Sequence, residues 1–202
     1  MHRNLSAPGL ALALFLAPAA YAQPTDRPPA AVPGETALPQ GVALGGAFSL
    51  TDQAGRAATD RDLRGRWALL YFGYTFCPDV CPTELQTMAA ALDALGPELG
   101  ERVRPVFVSI DPERDTPERL ADYVALFHPR LIGLTGSAAH VAQAARAYRV
   151  YYARARPGDG DGYLMDHSSF IYLLDPDGAV RGLFRPGTTA EDLAAALRRR
   201  LP

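Results

Sequence analysis

Cys77 and Cys81 are the only two cysteines in the chain, and both lie in the stretch Tyr71-Phe72-Gly73-Tyr74-Thr75-Phe76-Cys77-Pro78-Asp79-Val80-Cys81-Pro82. The stretch continues an apolar run from Trp67-Ala68-Leu69-Leu70 and ends in a loop bracketed by Pro78 and Pro82. A strand that stops in a loop and then feeds a helix is where α/β folds place their chemistry, outside the carboxyl end of the sheet. A helix opened by Pro78 would carry Pro82 in its second turn, at a cost of about 3 kcal/mol. Pro82 is better suited to the first helical position, with Glu84 in the first turn near the positive end of the dipole. Cys77 and Cys81 are then both loop residues close to free N–H groups, which favour thiolate over thiol. Two such thiolates can chelate one metal ion or close a small-ring disulfide. A disulfide across three residues closes too small a loop to stabilise much, so a reactive or ligating role is expected over a structural one.

The elements that must hold this loop follow from periodicity. Residues 48–52 alternate and are followed by an Asp52-Gln53-Ala54-Gly55-Arg56 turn, which predicts an N-terminal β-hairpin. Residues 67–73 form a strand, and Leu85, Met88, Ala89, Leu92 and Leu95 recur at helical spacing until Gly96-Pro97 stops them. A buried strand over 103–110 leads into Asp111-Pro112-Glu113-Arg114-Asp115-Thr116-Pro117, where Thr116 and Pro117 open a helix to about residue 127. A strand over 131–134, a helix capped by Ser137 and an edge strand over 150–153 follow, and then a glycine-rich loop over 156–162. Residues 170–174 and 179–184 form a hairpin around Asp175-Pro176-Asp177-Gly178. Thr188 and Glu191 form a capping box for a last helix over 191–200. This order predicts an α/β chain, a thioredoxin-like three-layer sandwich with an N-terminal β-hairpin and insertions.

In such a sheet the loop entering the terminal hairpin faces the cysteines, and here that loop is Asp166-His167-Ser168-Ser169. Disulfide-exchanging members of the fold carry a cis-proline at this entry; this chain has His167, and an imidazole completes a site begun by two thiolates. Structural zinc usually takes four protein ligands, so two cysteines and one histidine leave it short. Two sulfurs and one nitrogen suit Cu(I). Asp79 is placed to steer a cation or to orient His167. His128, before Pro129 at a helix end, and His140, in an alanine-rich helix, need no role beyond local packing or the helix dipole. Asp111, Arg114 and Asp115 are expected to form a structural loop network, and Arg198-Arg199-Arg200 a solvated helix end.

A formal net charge of -2 over 202 residues offers no basic field for nucleic acid. Residues 1–22 have a short basic start, an apolar core and a small-x-small end at Ala20-Tyr21-Ala22, which predicts a cleavable signal peptide rather than an anchor helix. Residues 23–40 read as a flexible linker and 41–202 as the folded domain. The expected setting is an exported protein of the bacterial periplasm, with tethering to the inner membrane left open, and a monomer suffices.

Three motifs in order, Phe72 to Pro82, Asp111 to Pro117 and Asp166 to Leu173, resemble the Sco/SenC proteins, assembly factors for cytochrome c oxidase. The resemblance covers the chain from about Gly41 onward. It implies one copper ion, Cu(I) and in some states Cu(II), bound by the residues matching Cys77, Cys81 and His167. It also implies a metallochaperone role at the dinuclear copper centre of oxidase subunit II, with an upstream copper donor. The alternative from the same residues is an envelope thiol:disulfide reductase using Cys77 and Cys81 as its redox pair, so enzyme status stays open. A peroxidase is disfavoured, because the residues three before the cysteines are Tyr74 and Pro78, where a Thr would be needed.

Overall fold

The computed structural model describes residues 32–155 and 162–201. The expected signal peptide, linker residues 23–31 and loop residues 156–161 lie outside the described residues.

Strand β1 (Glu35–Thr36) is followed by a hairpin, β2 (Ser49–Asp52) and β3 (Ala57–Thr59), and then by the central strand β4 (Trp67–Gly73). Six of the seven β4 residues are buried, because helices cover both faces of the sheet. Helix α1 (Val80–Gly100) leads to β5 (Val103–Ser109), α2 (Pro117–Ala125) to β6 (Ile132–Thr135), and α3 (Ala138–Ala147) to the small ribbon β7 (Tyr152–Arg154) and β8 (Met165–His167). The chain closes with β9 (Ile171–Leu174), β10 (Val180–Phe184) and α4 (Ala190–Arg198). Eight strands form one sheet in the order β1-β10-β9-β4-β5-β6-β2-β3, with β4 parallel to β5 and antiparallel to β9. This is the expected thioredoxin-like sandwich with its N-terminal hairpin at one edge.

Successive side chains of β4 face opposite layers. Tyr71 stacks at 6.5 Å on Phe107 of β5, which meets Tyr123 of α2 at 5.5 Å. Phe72 points the other way, to Tyr148 after α3 at 5.5 Å and to Tyr172 of β9 at 6.0 Å. Helices α1 and α4 pack against one another.

Four local expectations are corrected. Helix α1 begins at Val80, with Asp79 in the N-cap position, so Cys81 is a first-turn residue and not a loop residue. Pro82 is tolerated one turn into the helix because the first four N–H groups have no intrahelical acceptor. The stop at Gly96-Pro97 is a break within α1: Gly96 adopts φ 75°, ψ 169°, and a further turn runs to Gly100. The cap of α4 is Thr189, whose side chain accepts from Asp192 N–H. Thr188 instead is buried and donates to the Arg185 carbonyl at 2.7 Å.

The fourth correction concerns the linker. Val32 is buried, Glu35 and Thr36 pair with Phe184 and Leu183 of β10, and Glu35 forms an ion pair with Arg200. Residues 32–36 are therefore part of the domain, and Arg200 is tied to them, while Arg198 and Arg199 stay exposed as expected of a solvated helix end. Arg198 also donates to the Ala94 carbonyl.

Gly73, the last residue of β4, lets the strand end touch the cysteine loop. A Cβ there would lie 2.8 Å from Cys81 Sγ and 2.9 Å from the Phe107 ring. Gly73→Ala is expected to destabilise the domain by about 1–3 kcal/mol through overpacking. Thermal denaturation checks this, at about 2–4 °C of Tm per kcal/mol; an unchanged Tm would show slack at the strand end.

Candidate metal centre

The loop leaving β4 is fixed by one buried carboxylate. Asp115 accepts from Thr75 N–H at 3.1 Å, Thr75 Oγ1 at 2.6 Å and Ser109 Oγ at 2.6 Å. Burial pushes its carboxyl pKa up, and these three hydrogen bonds oppose the shift. The ends of β4 and β5 are thereby tied together two residues before Cys77. Next to it, Arg114 Nε donates to Asp111 at 2.5 Å, Arg114 Nη1 donates to the Tyr163 carbonyl at 2.9 Å, and Tyr163 Oη donates to Asp111 at 2.7 Å. The Arg114 guanidinium lies 3.6 Å from the centroid of the Tyr163 ring. Asp111, Arg114 and Asp115 thus make the structural network expected of them. Tyr163 was not singled out in the sequence; an aromatic residue directly after a polar, glycine-rich loop was the available signal.

That clamp brings β8 over the cysteines. Met165 N–H donates to Tyr74 Oη at 3.2 Å, and β8 pairs with β7 so that His167 stands opposite Tyr152. His167 is therefore held at the end of a strand, not in an open loop. Ser168 N–H donates to the Tyr151 carbonyl at 2.9 Å, and Tyr151 N–H donates to Ser168 Oγ at 3.1 Å.

The ligand atoms of Cys77, Cys81 and His167 all lie within 4.8 Å of one another. His167 Nε2 is 3.3 Å from Cys81 Sγ, and Cys81 N–H donates to Cys77 Sγ at 3.4 Å. His167 Nδ1 lies 3.0 Å from the Ser168 carbonyl, which can only accept. Nδ1 therefore carries the proton, and Nε2 presents a lone pair to the sulfurs. The rings of Tyr71 and Tyr74 meet the imidazole edge-on at 6.2 and 5.9 Å and hold its plane. Asp79 is exposed on the rim of the adjoining cavity of about 300 Å³, and the partner that orients His167 is the Ser168 carbonyl, not Asp79. His128 Nδ1 accepts from Arg130 N–H at 3.1 Å, and His140 is exposed on α3; neither enters the site.

The two sulfurs differ electrically. Cys77, half-buried, accepts hydrogen bonds from Cys81 and from the backbone N–H groups of Asp79 and Cys81, which hold its pKa well below the usual thiol range against the opposing effect of burial. Cys81 is fully buried, and the neighbouring Cys77 sulfur together with desolvation pushes its thiol up. Burial, and then Cys81, also push the Tyr71 phenol up, so it stays protonated. At neutral pH the pair is one thiolate and one thiol.

A family model described as SCO1/SenC matches residues 36–202. The chain belongs to the SCO1/SenC family. It is 46% identical over 166 residues to the SCO2 homolog, mitochondrial, of Bos taurus, covering 82% of this chain and 62% of that protein. The chain thus spans about three fifths of the length of the curated relatives it first matches. Among solved structures, Arabidopsis thaliana ScoI with copper bound is 43% identical with a TM-score of 0.74, covering 78% of this chain and 99% of that one. Bradyrhizobium japonicum ScoI with copper bound is 45% identical with a TM-score of 0.72, covering 78% and 99%.

The relatives correct one expectation. The sequence pointed to a bacterial periplasm, but the curated relatives that this SCO1/SenC chain matches include mitochondrial proteins of Bos taurus, Homo sapiens and Arabidopsis thaliana. The export features that suggested a periplasm fall on residues 1–22, which the structure does not describe. Among the described residues no helix is long and apolar enough to cross a membrane.

The split between the sulfurs has a direct readout. Iodoacetamide is expected to label Cys77 well ahead of Cys81, at a rate nearly flat from pH 6 to 8, because Cys77 is already thiolate across that window. Peptide mapping by mass spectrometry checks it; equal labelling, or a rate that climbs toward pH 9, would contradict the assignment.

Proposed function

We propose that the chain carries one copper ion as cargo, held by Sγ of Cys77, Sγ of Cys81 and Nε2 of His167. The reading extends to receipt of the ion from an upstream copper donor and delivery to the dinuclear centre of cytochrome c oxidase subunit II. The observation that carries it is the convergence of two sulfurs and one unprotonated imidazole nitrogen within 4.8 Å. Thiolates select soft ions such as Cu(I), and three ligands suit Cu(I) better than structural zinc. All three ligands come from one chain, so a monomer suffices. The half-exposed Cys77 gives a partner's ligand access to the ion, and the cavity of about 300 Å³ beside it gives that ligand room. Asp79, on the rim, is then placed to attract an incoming cation.

Uptake of Cu(I) deprotonates Cys81, which is a thiol in the free protein, and the ion takes over the role of that proton between the two sulfurs. Cys77 contributes no proton, being thiolate already. Between pH 7 and 8 the free protein thus binds more protons than the loaded one, by about one. The apparent Cu(I) affinity is therefore expected to rise about tenfold across that unit of pH. Competition with a chromophoric Cu(I) chelator at both pH values measures this, and a flat profile would show that no thiol proton is displaced.

His167→Ala, with the cysteines kept reduced, is expected to weaken Cu(I) binding by more than about 100-fold, beyond what loss of an outer-sphere partner costs. Parent and variant binding alike would remove His167 from the ligand set.

A second reading is favoured by one observation, the unequal sulfurs: a thiolate at Cys77 and a buried thiol at Cys81 are what disulfide exchange uses. The Cys77 thiolate would attack a disulfide of a copper protein, forming a mixed disulfide and releasing one client thiolate. Cys81, on losing its proton, would attack Cys77 Sγ, releasing the second client thiolate and leaving a Cys77–Cys81 disulfide. The client gains two electrons and this chain loses two. His167→Ala separates the readings, because exchange with a disulfide substrate survives that substitution and three-ligand copper binding does not.

A further inference from the structure

A second and larger cavity, of about 630 Å³, lies against the α2 side of the cysteine loop. Its volume is within the range of ligand clefts, about 300–1,000 Å³. Thr75, Arg114, Arg119, Tyr123 and Leu126 line it, and none of them is a metal ligand.

The polar groups of this groove are incompletely paired. Arg114 uses Nε and Nη1 on Asp111 and the Tyr163 carbonyl, while its Nη2 is buried with no hydrogen-bond partner among the described residues. The Tyr123 hydroxyl is in the same condition. Burial pushes the Tyr123 phenol pKa up, and the two nearby cysteines add to that, so it remains an O–H donor. Arg119 is exposed and makes no ion pair among the described residues. Arg114 and Arg119 lie over the Phe76 ring, at 4.5 and 4.6 Å from its centroid. Of the two acidic side chains on the groove, Glu118 interacts with its own backbone N–H and with Thr116 at the start of α2, which leaves Asp122 on the exposed face. The donors left without an acceptor are therefore Arg114 Nη2 and the Tyr123 hydroxyl, both shielded from solvent at the base of the groove, and the exposed Arg119 guanidinium. Beside them stand two apolar side chains in solvent, Phe76 at 42% and Leu126 at 77% exposure.

We propose that this groove docks an acidic segment of the protein that exchanges copper with the Cys77, Cys81 and His167 site. A carboxylate of that segment accepts from Arg114 Nη2, Arg119 and the Tyr123 hydroxyl, and its apolar neighbours lie on Phe76 and Leu126. A carboxylate is favoured over a neutral carbonyl because charge-assisted bonds to guanidinium are the stronger ones. A protein segment is favoured over a small anion because the donors are flanked by exposed apolar side chains that a small anion would leave uncovered. Thr75 and Phe76 immediately precede Cys77, so a segment lying in the groove is held alongside the half-exposed sulfur. The identity of the occupant rests on the copper-carrier reading; the binding itself does not.

The test uses the full chain without metal and fluorescence anisotropy of a labelled pentapeptide, acetyl-Leu-Glu-Ala-Glu-Phe-amide, against its counterpart with both Glu replaced by Gln. The Glu probe is expected to bind at least about tenfold more tightly, with Arg119→Ala removing most of that difference and Tyr123→Phe losing about fivefold, the size of one hydrogen bond. Arg119 is exposed, so Arg119→Ala should fold, and circular dichroism checks that it does. Arg119→Glu, a second variant at the same position, should abolish preference for the Glu probe. Cu(I) affinity of Arg119→Ala should equal that of the parent. Equal binding of the two probes, or binding indifferent to Arg119, would overturn the proposal. So would displacement of the probe by low-millimolar acetate or inorganic phosphate, since that marks a small-anion site. Loss of the copper-carrier reading would appear separately, as failure of the parent to bind Cu(I), in a measurement that contains no peptide.

Discussion

Two sulfur atoms held this close in a part-buried site cannot both be thiolates unless something positive stands between them. Each thiolate raises the cost of ionising the other, and burial raises it further because the surroundings screen poorly. In the free protein the conflict is settled by one proton. Cys77, nearer solvent and facing backbone N–H groups at the start of α1, gives up its proton readily, and the buried Cys81 keeps its own. On the copper-carrier reading a soft cation would settle the same conflict by replacing that proton, with His167 Nε2, 3.3 Å from Cys81 Sγ, available as a third donor. Most of the surrounding structure serves to keep these three groups from relaxing apart.

The restraint has two independent anchors. Asp115 binds Thr75 and Ser109, which locks the cysteine loop to the ends of two parallel central strands. The Asp111, Arg114 and Tyr163 cluster, with the Tyr74 to Met165 hydrogen bond, locks the β7–β8 ribbon over that loop. Because the ligands come from segments 86 residues apart, neither anchor alone would set the distance from sulfur to imidazole. An Asp115 carboxylate buried among donors is costly to place and costly to move, and that makes it a firm point of attachment.

Much of this was legible in the sequence because the signals were local or carried by type. The long buried strand β4, the Ser137 and Thr116 caps and the β9–β10 hairpin each follow from residues within one turn or one strand. The three converging side chains were legible because cysteines are scarce and because a histidine stands where this fold puts the loop facing them. What the sequence withheld depends on tertiary pairing. Pro82 marked a helix start, yet α1 opens two residues earlier, since a proline is harmless anywhere in a first turn. Glu35 looked like part of a polar linker until β10 and Arg200 supplied its partners. The roles of Tyr163 and of the Ser168 carbonyl are likewise invisible without the fold, because a hydrogen-bond partner leaves no periodic trace. The compartment was misread for a different reason: an apolar stretch near the start of the sequence and a pair of cysteines are compatible with more than one cellular setting.

The unequal state of the sulfurs also bears on how copper carriage and disulfide exchange relate. Both need a ready thiolate at Cys77, and both end with the Cys81 proton gone. They differ only in what takes the place of that proton, a metal ion or a sulfur–sulfur bond. A site tuned for one is therefore nearly tuned for the other, and the cysteines alone do not decide between them. His167 does, because an imidazole whose Nδ1 proton is committed to the Ser168 carbonyl has a lone pair and no proton to offer the sulfurs. Such a group stabilises a cation between the sulfurs and gives a disulfide nothing to bind. The fixed tautomer, more than the presence of a histidine, is the feature that tilts the site toward metal.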